Sequence, residues 1–279
     1  MVLVLHKSIL SGRVDTGGQA PLPIIIPALL GLALLVFPLI ALVSRASWDT
    51  LWEDITSQTA LQALGLSLLS AFFATLLCVI CGVPLAILIA RSNARTAALL
   101  RTLVAVPLVL PPMVGGVALL YLFGRTSPLG SLINDIWGFT LPFTTVAVVL
   151  AQAFVALPFL VLAVEGTLRG AGVRYERVAA SLGADRWTVL KKITLPLAAP
   201  GLLAGTILCF ARALGEFGAT ALFAGNAPGV TQTMPLAIYT AFNGGGVGRG
   251  PAVALSLLLL FTALLVLLLV RAWRPGALK

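Results

Sequence analysis

Residues 176–196 read Glu176-Arg-Val-Ala-Ala-Ser-Leu-Gly183-Ala-Asp-Arg-Trp-Thr-Val-Leu-Lys-Lys-Ile193-Thr-Leu-Pro196. This is the one sizeable stretch that is both strongly charged and helically patterned, and it lies between two apolar runs of membrane-spanning length. Ala179 and Ala180 keep one side of a short helix slim, and Gly183 can take the left-handed conformation that ends a helix. Trp187, Leu190 and Ile193 then recur at spacings of three. The stretch is read as helix, sharp turn, helix, held outside the membrane where a partner can grip it. An amphipathic helix lying on the membrane surface would need a large apolar face and no fixed glycine.

The rest of the chain is lipid-soluble in character. Of its 279 residues 59% are hydrophobic and only 10% charged, too few charges to cover a globular surface. Basic nucleic-acid binders gather cations on a polar face, whereas here the net charge of +9 is carried by cations flanking apolar runs, which excludes nucleic acid as a partner.

A span needs about 20 apolar residues. Six candidates are found at about 22–43, 63–90, 99–123, 145–164, 201–224 and 251–270. The predicted class is therefore an all-α integral membrane protein of six transmembrane helices. It has an N-terminal tail (1–21), a transmembrane domain (22–270) with a charged loop at 165–200, and a C-terminal tail (271–279). The third run contains Pro107, Pro111 and Pro112, so it is expected to bend or to begin with an irregular turn. The first run is longer than a signal core and Ser44-Arg45-Ala46 is not a small-x-small cleavage site, so it is expected to be retained.

Cations set the orientation. With a cytoplasmic N-terminus, fourteen of the 18 Lys and Arg fall on the inside; Arg45, Arg125 and Arg249 fall outside, and Arg212 falls within a span. Both termini are thus expected in the cytoplasm, together with residues 176–196. Trp48 and Trp52, beside Asp49, Glu53 and Asp54, suit an interfacial anchor on the outer side, with contact to an external partner as the alternative. Cys78 and Cys81 form a C-x-x-C, but the only histidine is His6, so no metal is expected and the cysteines are read as small buried residues.

In the fifth run, Arg212 and Glu216 are four residues apart and hence on one helix face. At about 1.5 Å per residue from Gly201, Arg212 lies about 16 Å deep, near mid-membrane. Either charge alone in hydrocarbon would cost several kcal/mol, so the two are expected to meet each other, a neighbouring helix or water, as part of a pathway or as a structural pin.

Leu182-Gly183, nine residues, then Ile193-Thr-Leu195-Pro196 resembles the cytoplasmic loop of ABC importer permeases, whose pattern is E-A-A, two residues, L-G, nine residues, I-x-L-P. Where that family has E-A-A, this chain has Arg177-Val178-Ala179, with the glutamate displaced to Glu176. The order of basic turn after the second span, Val-Pro-Leu-Val-Leu-Pro-Pro, charged loop and Arg212-Ala-Leu-Gly-Glu-Phe-Gly218 is similar to the oxyanion branch, closest to molybdate permeases. Asn226, Pro228-Gly229, Thr231-Gln232-Thr233 and Pro235-Leu-Ala-Ile-Tyr239 favour molybdate over sulfate or thiosulfate, with tungstate as a close mimic.

The resemblance implies an ATPase-coupling helix built from Glu176, Arg177, Val178, Ala179, Ala180, Leu182, Gly183 and Ala184, closed by Ile193, Leu195 and Pro196. It places the pathway and gate at Arg212, Gly215, Glu216, Phe217, Gly218, Pro111 and Pro112. It further implies two ATPase subunits, a second permease copy as homodimer partner, an extracytoplasmic molybdate-binding protein, and the plasma membrane of a bacterium or archaeon. The chain has no Gly-Lys-Ser/Thr phosphate loop, so it is expected to bind no cofactor and to leave ATP hydrolysis to its partner. An ion-coupled secondary transporter is the alternative from another class, weakened because its midplane charges would neutralise each other.

The cation asymmetry is tested by single cysteines at Ser181 and Thr231 in a background lacking the native three. Ser181→Cys is expected to label from the cytoplasm and Thr231→Cys from outside; labelling of both from one side would sink the orientation.

Overall fold

A computed structural model describes residues 22–244 and 250–272; the tail expected at 1–21, all but the first two residues of the tail expected at 271–279, and His6 lie outside them. Among the described residues every regular element is a helix. The first helix, α1 (Leu22–Ser44), forms a unit of its own and carries no buried side chain, as suits a helix surrounded by lipid.

The second unit begins at Ala46. Helix α2 (Leu51–Thr56) precedes α3 (Gln58–Arg91), and both Trp48 and Trp52 are exposed beside it. Next come α4 (Ala94–Val109), α5 (Pro112–Phe123), α6 (Pro128–Trp137) and α7 (Thr145–Ala171). The charged loop folds as α8 (Arg174–Ser181) and α9 (Arg186–Val189), and a π turn (Leu190–Thr194) leads into α10 (Leu195–Leu214). Short α11 (Gly218–Phe223), α12 (Met234–Asn243) and α13 (Gly250–Ala272) complete the unit. Four helices are long and apolar enough to cross a membrane, and α4 with α5, a pair bent by 111°, reaches that length and composition only when the two are taken together.

The third expected span bends at its prolines, at Leu110–Pro111, because Pro111 and Pro112 have no N–H to donate to the carbonyls one turn back. The fifth is corrected: it stops at Leu214 and resumes at Gly218, so residues 201–224 are not one helix. It also starts earlier than expected: the helical path runs unbroken over Arg186–Leu214, 29 residues, out of the charged loop.

The core is the packing of α3, α7 and α10. Lipid is as apolar as leucine, so burial gives little drive between spans, and close approach through small residues supplies the attraction. Ala71, Ala74 and Cys78 of α3 meet Ala153, Ala156 and Leu160 of α7 and Cys209 and Ala213 of α10. At the α7–α10 crossing, a Cβ on Gly201 would lie 2.2 Å from Thr167 Oγ1 and 2.7 Å from the Ala163 carbonyl oxygen. A second cluster joins α5, α7 and α11 through Leu119, Val148, Ala219 and Phe223, and a third joins α3, α12 and α13 through Ala63, Met234 and Leu255.

Thr231 is fully buried, which moves the outer labelling position to exposed Ala227 in the same loop. The crossing itself makes a sharper test. Gly201→Ala forces α7 and α10 apart and is expected to destabilise the purified protein by about 1–3 kcal/mol, read as a lower thermal midpoint in detergent. Gly65→Ala, where nothing lies within 4 Å, is expected to be neutral or to gain up to about 1 kcal/mol. Equal midpoints for the two variants would mean the crossing is not tight.

Candidate functional site

Two places in the fold carry polar chemistry. The first is the charged loop. Helix α8 ends in a Schellman turn: Gly183 has φ +88°, its N–H donates to the Ala180 carbonyl at 3.1 Å, and the Ala184 N–H reaches back to the Ala179 carbonyl at 3.0 Å. Asp185 then caps α9, accepting from the Trp187 and Thr188 N–H groups at 3.1 and 3.3 Å. Its carboxyl is held below the usual carboxylate range, by the Thr188 side chain first and then by those backbone donors.

Of the motif's closing residues, Ile193 lies in the π turn, and Leu195 and Pro196 open α10 directly after it. Pro196 cannot donate an N–H one turn back, and just before it the helix widens, the Leu195 N–H donating to the Leu190 carbonyl. The outer face of the loop is apolar and uncovered: Val178, Leu182 and Trp187 are exposed, Leu182 at 82%. A 780 Å³ cleft lined by Tyr175, Ala179, Ile193 and Pro196 runs beside it. Of the residues expected to act in coupling, Arg177 and Ala180 are exposed and Ala184 is half-buried. Glu176 turns inward: Arg91 Nη2 and Thr194 Oγ1 both donate to its Oε1, at 2.6 and 2.7 Å.

The second place is where the two broken helices cross. A Cβ on Gly218 would lie 3.0 Å from Pro112 Cβ and 3.1 Å from the Met113 nitrogen, and one on Gly116 would lie 2.7 Å from the Ala219 carbonyl oxygen. Pro112 and Gly218 thus meet at the breaks, next in the chain to Pro111 and Phe217, while Gly215 lines a groove with Ile238 of α12 and Leu259 of α13. Arg212 Nη2 lies 2.5 Å from Glu216 Oε2, with the arginine side chain 25% exposed and the glutamate 1%. The pair meets as its spacing predicts, but not on one helix. Glu216 stands in the break, where its Oε1 accepts the Ala219 N–H at 2.8 Å and caps α11. Phe217 stacks on Tyr239 of α12 with centroids 5.0 Å apart. Deeper in, both amide atoms of Gln152 on α7 and the Thr220 hydroxyl are buried without a hydrogen-bond partner.

Five residues at the loop end of the bundle were not singled out from the sequence. Glu165 of α7, 6% exposed, pairs with Arg101 of α4 at 2.8 Å and Arg169 at 3.5 Å. Arg91 and Thr194 hold Glu176. The signal was present in part: Arg91 ends an apolar run and Glu165 is the first acid after another. Cys78 donates to the Ala153 carbonyl at 3.4 Å while Cys81 is exposed, and among the described residues no three His, Cys, Asp or Glu gather as metal ligands. The 460 Å³ groove between α3 and α10, lined by Phe72, Leu76, Ile207 and Phe210, is apolar and offers an anion nothing.

Apolar helices, two of them broken where they cross, with a charged helix–turn–helix looped out between the long ones, define the membrane domain of a transporter. The chain belongs to the family of binding-protein-dependent transport system inner membrane components, which matches residues 82–279. It is 49% identical over 250 residues to the molybdenum transport system permease protein ModB of Mycobacterium bovis, covering 90% of this chain and 93% of that protein. To the ModB of Escherichia coli K12 it is 42% identical over 207 residues, 74% of this chain and 90% of the relative. Among solved structures it resembles a bacterial alginate ABC transporter in complex with a periplasmic protein, with TM-score 0.70 and 15% identity over 89% of this chain and 91% of the other. The MetNI methionine ABC transporter aligns with TM-score 0.55 and 20% identity over 84% and 97%. At such identities the two structures speak for the fold alone.

The break geometry predicts strong coupling between Arg212 and Glu216. Either single change to Ala strands a buried charge at about 3–5 kcal/mol, so each is expected to reduce membrane insertion or folded yield more than the double change does. Purely additive losses would show that the two residues act independently.

Proposed function

We propose that this chain is the membrane permease subunit of an ATP-driven importer and that its cargo is molybdate, moved inward across the plasma membrane of a bacterium or archaeon. The observation that carries the substrate is the 49% identity, over nine-tenths of the chain, to a permease named for molybdenum transport. Each of two identical copies contributes six spans with both termini in the cytoplasm. Two ATPase subunits grip α8 and hydrolyse ATP, this chain itself holding no cofactor. An extracytoplasmic binding protein delivers the anion to the outer mouth.

The mechanism follows from the cost of moving a dianion. Molybdate is strongly hydrated, and a permanent dry site for it in a span would be expensive. A binding protein can hold the tight, selective site, while the permease opens a polar path for a moment. The crossing of the broken helices suits that path. Glycines there let backbone approach closely, Arg212 supplies a partly exposed cation, and the unpartnered groups of Gln152 and Thr220 can turn to a passing anion or its water. Movement of the exposed loop face by the ATPase would open and close the crossing.

Reconstituted with its ATPase and binding protein, the complex is expected to take up molybdate at submicromolar supply, to be competed by tungstate, and to ignore a large excess of sulfate. Effective competition by sulfate would reassign the cargo within the oxyanions.

A further inference from the structure

Helix α8 hangs between two loose joints. Gly172 before it has φ +68° and Gly183 after it φ +88°, and around both positions nothing lies within 4 Å of where a Cβ would stand. Its apolar face, Val178 and Leu182, is uncovered. Among the described residues, the side-chain hydrogen bonds that leave α8 both end on one atom, Glu176 Oε1. There it accepts from Arg91 at the end of α3 and from Thr194 at the root of α10, positions 85 and 18 residues away in the chain. The glutamate side chain is 15% exposed, Arg91 is 22% exposed and Thr194 is buried, so water competes weakly for these bonds. Arg177, at the place of the family's glutamate, is exposed and makes no such link.

We propose that Glu176 is a positioning residue for energy coupling: its carboxylate makes α8, the end of α3 and the root of α10 move as one body. Without it, a push on α8 would be absorbed by rotation at Gly172 and Gly183. With it, the push reaches α3 directly and reaches the broken fifth span through the continuous helix that starts at Arg186. The inference rests on α8 being the element gripped by the ATPase, and it is independent of which anion is carried.

The test uses the permease in complex with its ATPase. Arg91→Ala, which leaves α8 itself unaltered, is expected to co-purify with the ATPase and keep basal hydrolysis, while stimulation by loaded binding protein falls by about fivefold or more. The exchange Arg91→Glu with Glu176→Arg is expected to recover most of it, which a merely structural defect would not allow. Thr194→Val, which leaves the ion pair in place, is expected to give an intermediate loss and decides the matter if the charge variants fail to assemble. A readout that needs no anion runs beside this: spin labels at Ser181→Cys and Leu88→Cys, in a background without Cys78, Cys81 and Cys209. Their separation is expected to stay constant on ATP binding in the otherwise native protein and to shift or broaden in the Glu176→Ala or Thr194→Val variant. Unchanged stimulation in the variants, no rescue by the exchange, or identical label distances would overturn the proposal. Absence of molybdate stimulation in the native complex would count against the cargo alone, since the label distances still report on the latch.

Discussion

In hydrocarbon every backbone N–H needs an acceptor within the protein, and a span that breaks must replace the bonds it gives up. Both breaks in this fold meet that demand, by different means. At Leu110–Pro111 two prolines remove two of the donors, and the Val114 and Gly115 N–H groups at the start of the next half-helix donate to the Pro111 carbonyl. Between Leu214 and Gly218 the donors remain, and the Glu216 carboxylate accepts one from Ala219 with one oxygen while its other oxygen meets Arg212. A single side chain thus caps a half-helix and neutralises the arginine. Replacement by an apolar residue would lose both at once, so the motif tolerates a charge deep in a span.

Once the breaks are stabilised, glycine decides how closely they pack. Gly116 and Gly218 bring the two half-helices within contact of each other's backbone, and Gly201 and Gly205 do the same for α7 and α10. The buried cysteines follow this logic: Cys78 and Cys209 lie in the three-helix core as small residues. Attraction between the spans comes from dispersion over short distances. A shift of one helix along another therefore disturbs many small contacts without exposing apolar surface to water, which suits a membrane domain that must change shape.

The long apolar runs, the helix–turn–helix of the charged loop and the pairing of Arg212 with Glu216 were legible in the sequence because each is a local pattern: composition, a glycine at the end of a short helical stretch, a spacing of four. Less legible was whether the fifth run stays helical through Gly215. Spacing of four also holds across a break when the glutamate folds back as a cap, so periodicity could not separate the cases. The inward turn of Glu176 was not legible, since its partners are 85 and 18 residues away and a single chain carries no pairing signal. Arg91 looked like one more orienting cation at the end of a run, which it also is. The shift from Arg177 to Glu176 drew notice as a departure from a pattern, and only the tertiary structure shows that the displaced carboxylate has buried partners.

The direction in which force can travel follows from where the chain is stiff. From Arg186 to Leu214 the helical path is unbroken, about 1.5 Å per residue over 29 residues and hence about 43 Å from the loop to the break. A π turn near its start leads into Pro196 without interrupting it, the Leu195 N–H still donating within the helix to the Leu190 carbonyl. Such a helix transmits rotation from end to end, and the next soft point along the chain is Gly215. Under the proposed function, a movement of the loop would therefore be felt first at Glu216 and at the crossing with Pro112 and Met113. The loop and the broken crossing lie at opposite ends of one rod, so under that reading the same covalent path would serve as lever and as gate hinge.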